Sequence, residues 1–192
     1  GKRSVETCDS QQGSYLGPQF SVEEIKNYLQ KNGYVYHEIA DRAKFFEKAA
    51  HELASEKVIG LFHGRMEYGP RALGNRSIIA DSRSPKMQSK LNLKIKYRES
   101  FRPFAPSVLE ERLRDYFELS APSPYMLLVD EVKKENQRPF DLEQLLVASE
   151  EDMLPVVNEV RSDIPAVTHV DYSARIQTVN RERNEHYYNL IK

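Results

Sequence analysis

The chain is poor in cysteine: a single residue, Cys8, stands among 192. That excludes an intrachain disulfide framework and any multi-cysteine zinc or iron–sulfur site, and it fits a reducing compartment, so a cytoplasmic setting is expected. Long apolar runs are missing too. The uninterrupted ones, 58–62 and 125–129, fall far short of the roughly 18 residues that a membrane-spanning helix needs. There is no basic-then-apolar leader, no internal repeat and no low-complexity segment. Net charge is nearly absent, with 28 Lys+Arg against 29 Asp+Glu. With 40% hydrophobic and 30% charged residues, the composition is that of a globular domain and not of a disordered or fibrous chain. At about 150 residues per domain, the length suggests one domain or one domain with an appended lobe. Because the chain opens at Gly1 and closes in an apolar helical pattern at Leu190-Ile191-Lys192, we expect a piece of a larger polypeptide.

What is present divides into punctuated periodic segments. Residues 1–20, with Gln11-Gln12-Gly13-Ser14 and Gly17-Pro18, read as a lead-in on the surface or partly disordered. Ser21 followed by Glu24 forms a capping box, and the apolar spacing after it predicts a helix over 22–32, stopped by Gly33. The alternation of 34–39 predicts a strand, and 41–56 a helix with Ala43, Phe46, Ala50, Leu53 and Ala54 on one face. Short apolar runs predict strands at 58–62, which we expect to be buried, 77–80, 125–129 and 168–170. Helices are expected at 85–95, 110–117, 142–147 and 182–191. The stretch 133–163, with Pro139, Pro155 and Glu150-Glu151-Asp152, reads as an irregular surface excursion. Strands alternating with helices predict an α/β (α+β) domain around a mixed sheet over 21–192.

The neutral total hides a strong asymmetry. Between Arg65 and Arg102 ten basic residues face three acids, a local balance of +7 that leaves −8 for the remainder. Lys86, Lys90 and Lys94 at helical spacing read as a solvated face. Arg71 and Arg76 are different, because they share a segment with Gly64, Gly69, Pro70, Gly74 and Asn75, a backbone chemistry of tight turns. Guanidinium groups on such a loop can hold phosphate or carboxylate oxygens bidentately, although the same charges can also serve a solvated loop. The loop is not a P-loop. Gly64 and Gly69 have the right spacing, but Pro70 and Arg71 replace the Lys and Ser/Thr that reach phosphate and magnesium, and no Gly-x-Gly-x-x-Gly fingerprint occurs. A second block, Lys96-Tyr97-Arg98-Glu99-Ser100-Phe101-Arg102-Pro103-Phe104-Ala105-Pro106-Ser107, interleaves cations with aromatics. It suits a phosphate chain with a stacked base, and equally a core that keeps Phe101 and Phe104 while Arg98 and Arg102 pair with Glu99 or Glu110. In Thr168-His169-Val170-Asp171-Tyr172-Ser173-Ala174-Arg175, a strand would set His169 and Asp171 on one face. That arrangement would serve as a proton-transfer pair, as two metal ligands or as a structural pair. No metal site is assigned, and Cys8 has no catalytic context.

Three blocks in this order, the fourteen residues Gly64 to Ser77, then Lys96 to Pro106, then Thr168 to Asp171 with Ser173 to Val179, resemble the C-terminal region of the NodU/CmcH-type carbamoyltransferases. The resemblance covers about Tyr15 to Lys192. It implies a YrdC-like fold, a twisted mixed sheet flanked by helices, joined in the same polypeptide to an N-terminal domain of the actin-like ATPase type that holds a metal and the acceptor. It implies further that the YrdC-like part activates carbamoyl phosphate with ATP, giving carbamoyl adenylate for transfer to a hydroxyl acceptor. On that footing Arg71 and Arg76 are expected at carbamoyl phosphate or the α-phosphate, with His169 and Arg175 across the pocket. Arg65, Asn75, Lys96, Arg98, Arg102, Ser107, Thr168 and Asp171 are expected as substrate and nucleotide contacts, and Mg²⁺ is expected to arrive with ATP. The family commonly has Gly where Tyr172 stands and continues past residue 192 with a further strand and an Asn-Thr-Ser-Phe-Asn motif. A non-catalytic RNA- or nucleotide-binding module, or a docking domain supplying part of a shared site, are the alternative readings. The near-neutral balance counts against nucleic acid.

Overall fold

The computed structural model describes residues 9–141, 143, 147, 149 and 156–192. The helix expected at 142–147 falls mostly outside this set, as do Cys8 and the acidic run Glu150 to Asp152. Five α-helices and six strands are seen among the described residues, and the α/β class expected from alternation is the class observed.

Helix α1 (Val22–Lys31) starts at the predicted capping box: the Ser21 hydroxyl accepts from the Glu24 amide while the Glu24 carboxylate takes the Ser21 amide at 2.7 Å. None of its residues is buried. The following 34–39 forms no strand; Tyr34 stacks on Tyr28 instead, and Tyr36 accepts a hydrogen bond from Gln30. Alternation alone makes a strand only where an edge offers ladder bonds, and no edge lies beside this segment. Helix α2 (Arg42–Ala54) is capped by Asp41, whose carboxylate accepts from the amides of Ala43 and Lys44.

Strands β1 (Ile59–Phe62) and β2 (Arg76–Ile79) pair antiparallel, Leu61 opposite Ser77 and Phe62 opposite Arg76. The expectation of a buried strand at 58–62 is corrected. Only one face of a two-stranded ladder can reach the core, so Leu61 is buried against α2 while Phe62 is 56% exposed. Helix α3 (Met87–Leu91) runs into a π-helical turn (Asn92–Lys96) that stops at Tyr97 in the left-handed region, φ 49°. Strand β3 (Ser107–Leu109) is followed by a 3₁₀ turn and α4 (Leu113–Tyr116). The strand expected at 125–129 begins only at its end, as β4 (Val129–Glu131), because Met126 turns with φ 55°. It pairs antiparallel with β5 (Ser173–Arg175), and β6 (Gln177–Val179) pairs parallel with β3. The strand expected at 168–170 is a turn; the chain reverses there and pairs only from Ser173. Helix α5 (Glu185–Ile191) closes the order, with the Asn184 side chain accepting from the Tyr187 amide.

Apolar burial organises these pieces around three centres. One joins β3, α4 and β5 through Val108, Phe117, Val132 and Ile176. A second packs α2 and α5 on β1 and β6 through Leu61, Val179, Tyr187 and Leu190. Met87, Leu91 and Ala166 make the third, under α3. The stretch 9–20 is bound along the 64–68 segment: Gly17 N–H donates to Met66 O and Met66 N–H to Pro18 O, both at 2.9 Å, and Tyr68 N–H donates to Ser14 O.

Candidate functional site

A cleft of about 710 Å³ opens between the β1–β2 ladder and the β3–β6 ladder. Its floor is apolar, with Leu53 and Ala54 from α2, Leu91 from α3 and Leu190 and Ile191 from α5. Its rim is cationic. Arg71, Arg83, Lys96, Arg98 and Arg175 all line it, against one acid, Asp81. Asp81 is already engaged, since Arg83 Nη2 meets its carboxylate at 2.6 Å, and this pairing holds the Asp81 pKa below the usual carboxylate value.

The loop carrying Arg71 is built from its own buried polar groups. Glu67, 7% exposed, accepts through one oxygen from the amides of Leu73 at 2.7 Å, Asn75 at 2.8 Å and Arg76 at 3.3 Å. A carboxylate that collects three main-chain donors satisfies groups which would otherwise cost about 1–3 kcal/mol each when buried. The Arg76 guanidinium closes the other end, donating to the carbonyls of His63, Asn75 and Gly64 and lying 3.6 Å from the Phe62 ring centroid. Gly74, φ 115°, lies against Tyr187: a Cβ there would fall 2.3 Å from the ring, so the close approach requires glycine. Arg71 is left at the tip with its Nε buried and unbonded among the described residues. Burial, and then the like charge of Arg71, pull the pKa of Arg175 below the usual arginine value.

The second block is wound around a side chain that the sequence reading passed over. Asn92, fully buried, donates to the carbonyls of Ser100 at 3.0 Å and Arg102 at 2.7 Å, and its oxygen accepts from Arg98 Nε at 2.6 Å. The Arg98 guanidinium also lies 4.9 Å from the Phe104 ring. Arg102 turns outward to Glu99 at 3.1 Å, one of the pairings the sequence allowed.

The structure therefore gathers Arg71, Lys96, Arg98, Ser107 and Arg175 at one cleft and leaves seven other candidates elsewhere. Arg76 is turned to carbonyls: three of its five N–H donors are committed there and Phe62 covers its ring-facing side. Arg65 reaches only Leu16 O, at 3.5 Å. Asn75 is a buried brace that donates to Arg65 O at 2.7 Å and accepts from Asn184 at 2.8 Å. Arg102 faces away. Thr168, 2% exposed, donates to Ile164 O and meets the Ser162 hydroxyl at 2.7 Å. His169 and Asp171 do not share a strand face: Tyr172 N–H donates to His169 O, closing a turn. The Ser173 hydroxyl links the pair, 2.7 Å from Asp171 and 3.2 Å from His169 Nδ1. Burial lowers the His169 pKa; for Asp171 burial pushes up, but hydrogen bonds led by the Ser173 hydroxyl and amide outweigh it and the net shift is down. Tyr172, at the position commonly Gly in the resembled family, keeps the left-handed backbone with φ 64° and donates its hydroxyl to Arg138 O. Among the described residues no three His, Cys, Asp or Glu gather as a metal cage, and no helix is long and apolar enough to cross a membrane.

Comparison with known proteins places this geometry in a group. Residues 50–192 match the family model described as Carbamoyltransferase C-terminus. An uncharacterized protein of Synechocystis sp. is 54% identical over 193 residues, covering all of this chain and 31% of that protein. Nodulation protein NolO of Bradyrhizobium diazoefficiens is 37% identical over 92% of the chain and 28% of its own length. Nodulation protein U of Sinorhizobium fredii is 42% identical over 67% of the chain and 19% of its own length. The chain thus spans a third or less of the length of these relatives.

Proposed function

Since the chain belongs to the carbamoyltransferase family, matching its C-terminal part, we propose that its cationic cleft binds the phosphates of ATP and carbamoyl phosphate. On this reading it forms the carbamoyl-adenylate-producing half of an O-carbamoyltransferase. The observation that carries this reading is the convergence of Arg71, Lys96, Arg98 and Arg175, from three separated sequence blocks, on one cleft. Like-charged guanidinium groups held near each other cost free energy in the empty protein, and a polyanion between them returns it.

In a balanced sequence one water takes the phosphate from carbamoyl phosphate, releasing inorganic phosphate and carbamate; a carbamate oxygen then attacks the α-phosphorus of ATP, the bond to the β-phosphate breaks and pyrophosphate leaves. Both displacements develop negative charge on phosphoryl oxygens, so catalysis consists of positioning and of cations held in place beforehand. Arg71 and Arg175 suit the phosphoryl oxygens, because among the described residues neither pairs with a carboxylate. Arg98, oriented by Asn92, and Lys96 suit the rest of the phosphate chain. Ser107 offers a hydroxyl at the wall, and the apolar floor shields the adenylate from bulk water. Among the described residues the one acid lining the cleft, Asp81, is already paired with Arg83, so Mg²⁺ would be held by the phosphates and contribute charge neutralisation there. Acceptor and remaining machinery belong to a partner domain of the actin-like ATPase type, in a cytoplasmic enzyme.

Isothermal titration with ATP and Mg²⁺, with and without carbamoyl phosphate, tests the reading. Saturable binding that Arg71→Ala and Arg98→Ala each weaken about 100-fold supports it. A folded chain that binds neither compound refutes a self-contained nucleotide site, and the docking role then replaces it.

A further inference from the structure

We infer that Gln177 is a positioning residue that sets the spacing between Arg71 and Arg175; the inference rests on the reading of the cleft as a phosphate site. Gln177 is 3% exposed and opens β6. Its Nε2 donates to Leu73 O at 2.8 Å, and its Oε1 accepts from the Ser107 hydroxyl at 2.9 Å. Its own amide donates to Pro106 O at 2.9 Å. Through its side chain and amide Gln177 therefore joins the loop of Arg71 and the β3 wall that follows Lys96 and Arg98 to the start of β6, two residues beyond Arg175 at the end of β5.

The register explains why this matters to the cations. Leu73 lies two residues after Arg71, and Gln177 two residues after Arg175. Arg175 ends β5 and Gln177 opens β6, and both line the cleft. The Gln177–Leu73 bond thus joins two segments whose preceding arginines carry like charge at one cleft; burial first, and then the charge of Arg71, lowers the Arg175 pKa. Tyr15 reinforces the junction from outside, its hydroxyl donating to the same Leu73 carbonyl at 2.8 Å. Only a side-chain amide supplies a donor to one segment and an acceptor to the other without adding charge beside the arginines. Glutamate would face the Leu73 carbonyl with an oxygen, and methionine would fill the space with neither bond.

The experiment compares Gln177→Met with the unaltered chain and with Leu113→Ala, a core variant in α4 outside the segments that Gln177 joins. The ligand-free proteins are treated with phenylglyoxal, and modification of Arg71 is followed by peptide mass spectrometry. The expected result is Arg71 reacting about fivefold faster in Gln177→Met and no faster in Leu113→Ala. An unchanged rate, or equal acceleration in both variants, overturns the inference. If Gln177→Met does not fold, Gln177→Asn, which stays neutral and keeps an amide one methylene too short to reach both Leu73 and Ser107, is read in the same way. Titration with ATP and Mg²⁺ adds a readout that loss of stability alone does not move: Gln177→Met weakens binding about tenfold in the native background but less than twofold in Arg71→Ala. Equal losses in both backgrounds would overturn the inference. Absence of ATP binding in the unaltered chain sinks the functional reading, while the modification rates still decide the role of Gln177.

Discussion

Arg71 and Arg76 stand five positions apart in one glycine-rich loop, carry the same side chain, and have opposite surroundings. Arg76 gives its guanidinium to three carbonyls and a phenylalanine ring. Among the described residues Arg71 keeps its Nε buried and unbonded at a cleft that Arg175 also lines. One cation completes a structure, and the other lines the cleft proposed above to take a ligand. Residue type and neighbourhood in sequence do not separate these roles; the direction in which each side chain leaves the loop does.

The sharpest way to break the comparison is to remove each arginine in turn. Arg71→Ala should weaken ATP or carbamoyl phosphate binding at least 100-fold in titration, about 2.7 kcal/mol, with an unchanged or raised Tm because a repelling charge has gone. Arg76→Ala should do the reverse, lowering stability by about 2–3 kcal/mol in urea denaturation through its lost carbonyl bonds, with a smaller loss of affinity. Glu67→Gln sharpens the contrast, because it keeps one carbonyl acceptor for the three amides while removing the charge. Stability should fall by about 1 kcal/mol and affinity by about threefold.

A third test turns on pH and on a ring pair outside the cleft. His63 and His186 lie with centroids 4.3 Å apart, and burial, aided by His186 and Arg76, lowers the His63 pKa from 6.5 to about 4. A histidine whose folded pKa is depressed binds its proton more readily in the unfolded chain. Stability is therefore complete above pH 6.5 and falls as pH drops toward about 4, flattening below that for this group. A Tm lower by about 5 °C at pH 4.5 than at pH 7.5, with the difference reduced in His63→Phe, is the expected result by calorimetry. The smallest effect belongs to Tyr172→Gly. Relief of a left-handed backbone opposes loss of the hydroxyl bond to Arg138, and the net change should stay within about 1 kcal/mol by chemical denaturation.

Much of the frame was legible in the residues. The Ser21–Glu24 box, a helix in 41–56 and the short runs that become β1 and β2 follow from local rules, since each depends on spacing within a few residues or on a short apolar run. The basic block and the cations Arg71, Lys96, Arg98 and Arg175 were legible as candidates. Two strand readings failed where the deciding partner was remote: 34–39 found no edge to pair with, and 168–170 was overridden by a turn at Tyr172. Glu67, Asn92 and Gln177 escaped notice for a related reason. A lone Glu, Asn or Gln in a polar stretch gives no periodic signal, and its importance arises only when folding places backbone donors or acceptors around it. The nearest hint for Glu67 was an acid inside the segment where ten cations outnumber three acids.

By itself the sequence determined the α/β class, the helix starts and the concentration of positive charge between Arg65 and Arg102, because these depend on short-range spacing and composition. The tertiary structure alone decided which cations are free. Hydrogen bonds to carbonyls 13 and 12 residues away bind Arg76, and a bond spanning 104 positions, Gln177 to Leu73, ties the Arg71 loop to β6, two residues beyond Arg175. No local rule reaches that far, and burial makes such bonds decisive, since a polar group withdrawn from water must find its partner wherever the fold provides one.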